Sequence, residues 1–292
     1  MISLITGASS GIGKDMAFEF ADRGYDLILV ARSLDRLKEV KNEIIKKYGN
    51  CNVEIMKCDV SDIESVKKLY DDVRNKFVNI DVLVNNAGFG DCGKFYETNL
   101  EKDISMIYTN ILGLHVLTKL FLRDMVKANN GYILNVASIA GFMPGPLMAT
   151  YYSTKAYVVR LTRAIAKELK SVNSKVRIAA YCPGPVDTEF NKNANVTFSL
   201  KGQSSSDVSK IGVNGLFKSN KIVYFSSILI RIVACLAKIM PESFIANQAY
   251  IAMAPHLFVF VVDQRRNQQI AEAKGAKALV QGEAERFMSG LT

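Results

Sequence analysis

The sequence predicts an α/β protein: a doubly wound parallel sheet in a three-layer α/β/α arrangement, followed by a helical, apolar C-terminal extension. Three observations predict it. Short apolar runs alternate with stretches whose apolar residues recur every three or four positions, the pattern of successive βαβ units. A glycine-rich turn separates the first run from the first stretch. The 292 residues are 49% hydrophobic and 22% charged, which suits one large domain or a domain with an appendage. That composition excludes a disordered polymer, a collagen-like fibre and a disulfide-stapled miniprotein.

Strands are expected at 3–6, 27–31, 53–58, 82–85, 132–136 and 177–181. The first helix carries Met16, Ala17, Phe20 and Ala21 on its apolar face, and the second Leu34, Leu37, Val40 and Ile44. For the third, Ser61-Asp62-Ile63-Glu64 reads as a capping box, and Ile63, Val66, Leu69, Val73 and Phe77 follow on one face. Longer helices around 100–126 and 150–170 carry apolar residues on more than one face, as helices that pair between subunits do.

Beyond residue 190 the periodicity loosens. The stretch 191–206 is rich in Asn, Ser, Lys and Gly and reads as a loop long enough to act as a lid. A last strand is expected at 221–225 and an apolar helix at 228–240. The window 243–262 holds no Asp, Glu, Lys or Arg. It contains Asn247, Gln248, Pro255 and His256, so it reads as a segment docking on the core, a partner or a membrane surface rather than spanning a bilayer. From Asp263 the composition turns to Ala, Gln, Gly and Arg, as in a peripheral helix or sequence foreign to the main domain. The expected organisation is therefore a dinucleotide-binding and catalytic domain at 1–225, with a substrate loop at about 191–215, and an extension at 226–292.

Other classes recede. Met1-Ile2-Ser3-Leu4-Ile5 enters a turn by Gly7 without the pattern of a signal peptide. The five cysteines are odd in number and lack C-x-x-C spacing, which fits a reducing, cytoplasmic setting. His115 and His256 are the only histidines, so no metal site is expected. The net charge of +9 is dispersed: Lys38, Lys41, Lys46 and Lys47 alternate with Glu39 and Glu43, and Arg160, Arg163, Lys167 and Lys170 flank Glu168. Those are solvated helix faces, and no nucleic-acid partner is expected. The surplus of cations also suits an anionic cofactor.

The glycine turn is the first constellation that carries chemistry. In Thr6-Gly7-Ala8-Ser9-Ser10-Gly11-Ile12-Gly13 the glycines permit a tight turn and let the backbone approach a pyrophosphate, with helix N-terminal amides aimed at its charge. Strand before and helix after make this a Rossmann-type dinucleotide cradle. An acid ending the second strand would bind both ribose hydroxyls of NAD; Ala31-Arg32 stands there instead, and a planar cation suits the 2′-phosphate of NADP(H). NAD(H) is the alternative, with Arg32 then an ordinary surface cation. Asp59-Val60, after the third strand, is placed to meet the adenine, or serves only as a helix entry.

The second constellation is Tyr151-Tyr152-Ser153-Thr154-Lys155. A separation of four puts Tyr151 and Lys155 on one helical face. With charges about 5 Å apart at an effective dielectric of about 20, the ammonium favours phenolate by about 3 kcal/mol, bringing the phenol toward working pH. Ser138 follows a strand end, where a hydroxyl could hold a substrate oxygen or simply sit in a loop. Asn110 is a polar amide on an apolar helix, either bending it or ordering water.

The ordered set Thr6-Gly7-x-x-x-Gly11-x-Gly13, Asp59-Val60, Asn85-Asn86-Ala87-Gly88, Asn110-x-x-Gly113, Ser138, Tyr151-x-x-x-Lys155 and Pro183-Gly184-x-Val186-x-Thr188 closely resembles the short-chain dehydrogenase/reductase family over residues 2–190. The resemblance implies a catalytic tetrad of Asn110, Ser138, Tyr151 and Lys155. In it Ser138 positions the carbonyl or hydroxyl oxygen and Tyr151 exchanges the proton. Lys155 lowers the tyrosine pKa and binds the nicotinamide ribose, and Asn110 orders a relay water. It further implies cofactor contacts at Gly7, Ser9, Ser10, Gly11, Ile12 and Gly13 and at Asn86, Ala87 and Gly88. Pro183, Gly184, Val186 and Thr188 would meet the nicotinamide end. The longer C-terminus is similar to the branch of acyl, steroid and general carbonyl reductases. The function implied is NADP(H)-dependent hydride transfer to or from a small carbonyl or alcohol substrate, in a homodimer or homotetramer. Two other readings stand beside it: a membrane-surface reductase of lipidic, 3-oxoacyl or steroid-like substrates, and a non-catalytic dinucleotide sensor.

Overall fold

The structure is a computed structural model, and it describes residues 1–77, 79–196 and 202–253. Residues Met1–Met253 form one compact unit. The boundary expected at 225 falls inside that unit. The rest of the expected extension, with the composition shift from Asp263 and the C-terminal part of the uncharged window, lies outside the described residues, as do 197–201 of the expected substrate loop.

Seven parallel strands form the main sheet: β1 (Ile2–Thr6), β2 (Asp26–Ala31), β3 (Val53–Lys57), β4 (Val82–Asn85), β5 (Tyr132–Val136), β6 (Arg177–Cys182) and a last strand at Val223–Phe225. The order is β3-β2-β1-β4-β5-β6 with the last strand beside β6, so the chain reverses direction across the sheet between β1 and β4. Ligand sites in such sheets form outside the carboxyl ends of the strands at that switch point. Two short strands, β7 (Val186–Asp187) and β8 (Gln203–Ser204), pair apart from the main sheet, which makes Val223–Phe225 β9.

Both sheet faces are covered because alternate strand residues point to opposite sides and both sets are apolar. Ile5, Leu27, Leu29 and Val84 pack under α1 (Gly11–Asp22) and α2 (Leu34–Tyr48). Leu4, Ile28, Val30 and Leu83 pack under α3 (Ile63–Lys76) and the helix run from α4 (Leu100–Ile107) into α5 (Leu114–Ala128). The run Leu100–Ala128 is the one helix among the described residues long and apolar enough to cross a membrane, and Leu117, Phe121 and Met125 bury its inner face on the sheet. The long α6 (Ala149–Ser171) completes that side through Leu169.

Three local expectations are corrected. Leu34 is exposed, because it occupies the first helical position before α2 meets the sheet. The capping residue of α3 is Asp62, whose carboxylate accepts from Glu64 N at 3.0 Å. Ser61 is engaged elsewhere: its hydroxyl and amide both donate to Asp59 Oδ1, at 2.7 and 3.0 Å.

The third correction concerns the substrate loop expected at 191–215. It is interrupted by α7 (Glu189–Asn193), and from Ser205 it is helix, α8 (Ser205–Lys218). Ser204 caps α8 by accepting from Asp207 N, and Val208, Val213 and Leu216 are fully buried. Gly212 and Gly215 look like loop residues in the sequence. They instead make room for Tyr181 and Tyr224, whose rings stack 5.2 Å apart and whose hydroxyls donate to the Val208 and Gly212 carbonyls. The segment after β9 forms α9 (Ile228–Leu236) and α10 (Glu242–Met253).

Candidate active site

The glycine turn after β1 is held from across the sheet. Asn86, after β4, donates through its side chain to the carbonyls of Thr6 and Gly7, at 3.0 and 3.2 Å. Thr6 Oγ1 accepts in return from the amides of Asn86 and Ala87, at 3.0 and 3.1 Å. A Cβ on Gly13 would lie 2.2 Å from Gly7 O, and Gly7 itself has φ +64°, so both positions need glycine. Ser10 precedes α1 without capping it, and the first turn of α1 holds no acid. The amides at that helix start therefore face the cleft without a side-chain acceptor, which fits an anionic pyrophosphate.

Around this turn opens a cleft of about 850 Å³. At one end stand Arg32, after β2, and Asp59 and Val60, after β3. No carboxylate pairs with Arg32 among the described residues. Asp59 Oδ1 is occupied by Ser61 in the turn before α3, and its second carboxylate oxygen is the one a ligand can use. Across the cleft, Thr188 packs against Gly11 and caps α7, and Glu189 pairs with Arg36 of α2 at 2.8 Å.

At the other end the first turn of α6 presents Tyr151 and Lys155. Lys155 is 6% exposed; its Nζ donates to the Val136 carbonyl at 2.9 Å and lies 5.8 Å from the centre of the Tyr151 ring. Burial pushes its ammonium down to about 8. The Tyr151 ring stays partly accessible from the cleft, but its hydroxyl is enclosed. Burial raises its pKa well above the usual value, the hydrogen bond with Ser138 opposes that, and the neighbouring Tyr152 phenol adds to it. In the protein's own atoms desolvation is the largest influence on this phenol, and the expected draw of Lys155 is not what sets its pKa there. Ser138 lies at the end of β5, where its Oγ also accepts from Ala140 N at 3.1 Å.

The profile of the short chain dehydrogenase family matches residues 1–197, and it spans both the cradle and the Tyr151–Lys155 turn. The chain belongs to the short-chain dehydrogenase family. As a member it is an oxidoreductase acting on CH–OH and C=O groups. The NADP-dependent 3-hydroxy acid dehydrogenase of Schizosaccharomyces pombe is 40% identical over 190 residues, 64% of this chain and 72% of that one. The 3-oxoacyl-acyl-carrier-protein reductase of Aquifex aeolicus is 33% identical over 189 residues, 65% of this chain and 75% of that one. A solved short-chain dehydrogenase from Sphingobium yanoikuyae in complex with NADPH superposes with a TM-score of 0.74 at 29% identity, covering 81% of this chain and 92% of its own.

Of the site residues expected for this dehydrogenase, the cleft gathers all but Gly13 and Asn110. Gly13 acts one layer back, through its contact with Gly7. Asn110 sits in a π-helical turn, Tyr108–Gly113, the kind of local distortion common at functional sites. It is 1% exposed, and both ends of its amide are engaged. Oδ1 accepts from Phe89 N at 3.1 Å, while Nδ2 donates to Phe89 O at 2.9 Å and to Thr154 Oγ1 at 3.1 Å. Its side chain thus ties the Gly88–Phe89 loop to α6.

Thr6, Phe89, Thr154, Arg36 and Phe190 take part in this dehydrogenase's site without having been singled out. Thr6 and Thr154 lie inside the glycine and Tyr-x-x-x-Lys segments, which was the one available signal. Phe190 packs on Tyr151 with ring centres 5.3 Å apart, a contact set by how α7 folds back and by no local pattern.

Proposed function

We propose that the protein is an NADP(H)-dependent oxidoreductase that moves a hydride between nicotinamide and a carbonyl or secondary alcohol carbon, with Tyr151 as general acid and base. The observation that carries this reading is the meeting of Tyr151, Ser138 and Lys155 in the same cleft as the uncapped, glycine-lined start of α1. The bound dinucleotide supplies the hydride. Ser138 and Tyr151 hold the substrate oxygen and stabilise the charge that develops on it. Lys155, held by Val136 O, would offer its remaining hydrogens to the nicotinamide ribose. Asn110 is a positioning residue that fixes Gly88–Phe89 beside the nicotinamide. Gly7, Ser9, Ser10, Gly11 and Ile12 would hold the pyrophosphate, and Pro183, Gly184, Val186 and Thr188 would hold the nicotinamide end.

Preference for NADP(H) over NAD(H) is supported by Arg32 and by the lack of an acid at the end of β2, together with the NADP dependence of the yeast relative and the NADPH in the Sphingobium structure. The charged residues of the cleft, Arg32, Arg36, Asp59, Lys155 and Glu189, all lie at its cofactor end, from the adenosine pocket to the Tyr151 turn. Beyond Tyr151 the walls are Met143, Met148, Tyr152, Phe190, Leu229, Val233, Leu236 and Phe244. A substrate with an apolar body, of 3-oxoacyl or steroid-like kind, fits that wall. Oxidation of NADPH by purified protein, followed at 3-oxoacyl thioesters, steroid ketones and small ketones, is the test. Activity concentrated on the apolar ketones is expected, and inactivity on every ketone with NADPH bound defeats the proposal.

Self-association into a homodimer or homotetramer is supported by Leu100, Ile104, Ile107, Tyr108 and Leu112, which stand exposed at helical spacing along α4 and the π turn. A cytoplasmic setting is supported by the cysteines, all five of which are free thiols.

A further inference from the structure

Helix α9 is apolar on nearly every side, yet much of it faces out. Leu229, Val233 and Leu236 line the apolar end of the cleft, and Ile230 packs against Gly184. The opposite side carries Ile228 and Ile232, and Ile239 stands in the turn just past the end of the helix; Ile228 and Ile239 are 79% and 82% exposed. Exposed residues of this size in a row are unusual on a surface that meets only water.

The charge within the stripe's own segment has one sign, and the first acid beyond it is Glu242, which opens α10. Residues 208–241 contain no Asp or Glu, and Arg231 and Lys238 run along one edge of the stripe. Arg163 joins them: its guanidinium and the Lys238 ammonium both sit over the Phe142 ring, at 5.5 and 5.6 Å. An apolar strip edged by cations complements a surface that is apolar below and anionic at its boundary, which is a bilayer containing acidic lipids. The nine residues of α9 reach about 13 Å, far short of a bilayer core, so the helix can lie on the boundary but not cross it.

We propose that the outer face of α9 and the turn after it, formed by Ile228, Ile232 and Ile239 with Arg231 and Lys238 beside them, dock the protein on an anionic lipid surface. The inner side of the same helix forms the cleft wall, so docking sets the apolar end of the cleft at the lipid boundary. This inference goes beyond the reductase reading and does not require it.

Sedimentation of the full chain with phosphatidylcholine vesicles, with and without phosphatidylserine, tests the proposal without any turnover. Binding is expected to phosphatidylserine vesicles and to weaken with salt. Ile228→Glu, Ile232→Glu and Ile239→Glu together should weaken it by about tenfold or more, since these side chains lie outside the cleft. Arg231→Glu with Lys238→Glu should weaken it by about twentyfold or more while leaving neutral vesicles unaffected. Both variants should keep the circular-dichroism spectrum and cooperative thermal melt of the parent, which shows that they are folded. Failure of the parent to bind phosphatidylserine vesicles, as when another part of the chain covers the stripe, overturns the proposal. So does unchanged binding by the isoleucine variant, or loss of a dimer in that variant without loss of vesicle binding, which would give the stripe to a second copy. An inactive protein that still binds vesicles would defeat the reductase reading and leave the docking standing.

Discussion

The Lys155 ammonium donates to the Val136 carbonyl oxygen at 2.9 Å, from a position where almost no water reaches it. One carbonyl is a poor substitute for a hydration shell, and burial accordingly brings the ammonium down to about 8 from its usual 10.5. The protein maintains a buried cation that destabilises it, beside the place where an anionic dinucleotide would lie.

The unfolded chain keeps this proton up to 10.5, whereas the folded protein releases it near 8. Folding is therefore opposed in full below pH 8, and the opposition fades as pH rises from about 8 to 10.5. Lys155→Met should stabilise the protein at pH 7 by up to about 3 kcal/mol and abolish this part of the pH dependence. Thermal melts from pH 7 to 10 check it; a variant less stable than the parent at pH 7 contradicts the argument.

A phenol is protonated at neutral pH, and burial widens that margin for Tyr151, so it is ready to donate and needs alkaline pH to accept. Ketone reduction should be fast near pH 7, and alcohol oxidation should climb as pH rises into the alkaline range. Tyr151→Phe should lower turnover by roughly a thousandfold with little change in NADPH affinity. Steady-state rates in both directions, with cofactor binding by fluorescence, test both halves.

Arg32→Glu should reverse the cofactor preference. Losing one charge-assisted contact to a 2′-phosphate lowers NADPH affinity by about ten- to a hundredfold, and the new carboxylate gives NADH a ribose acceptor. The ratio of kcat/KM for the two cofactors is the readout; an unchanged ratio removes Arg32 from cofactor selection.

Asn110→Ala should cost about 1–3 kcal/mol of stability, since it leaves the half-buried Phe89 amide and carbonyl without their partner. Because Gly88–Phe89 would then loosen, KM for NADPH should rise along with a fall in kcat. A variant that loses only kcat would point to a direct part for Asn110 in the chemistry.

Gly113→Ala places a methyl group 2.1 Å from the Val60 carbonyl oxygen, which belongs to backbone and cannot rotate away. A loss of about 1–3 kcal/mol is expected, with weaker cofactor binding through displacement of Asp59–Val60. Chemical denaturation and NADPH titration measure the two effects.

The alternation of strands and helices was legible in the sequence because each element advertises its own period, two for Leu27–Ala31 and three to four for Val66, Leu69 and Val73. So was the order of Gly7, Ser138, Tyr151 and Lys155, since their chemistry depends on positions that parallel strands deliver to one edge. Helix α8 was not legible: Gly212 and Gly215 break its pattern, and the reason for them is two tyrosine rings that arrive from other strands.

The amino-acid sequence by itself determined the elements, the sheet direction and the residue types that meet in the cleft, because those follow from local period and from motifs closed within one turn. The tertiary structure alone decided that Asn86 clamps Gly7, that Asn110 faces Phe89 and Thr154, and that burial pushes the Tyr151 phenol up in the protein's own atoms. Such outcomes depend on which distant atoms come within hydrogen-bond reach and on how much water burial removes, and neither is a property of any local stretch of chain.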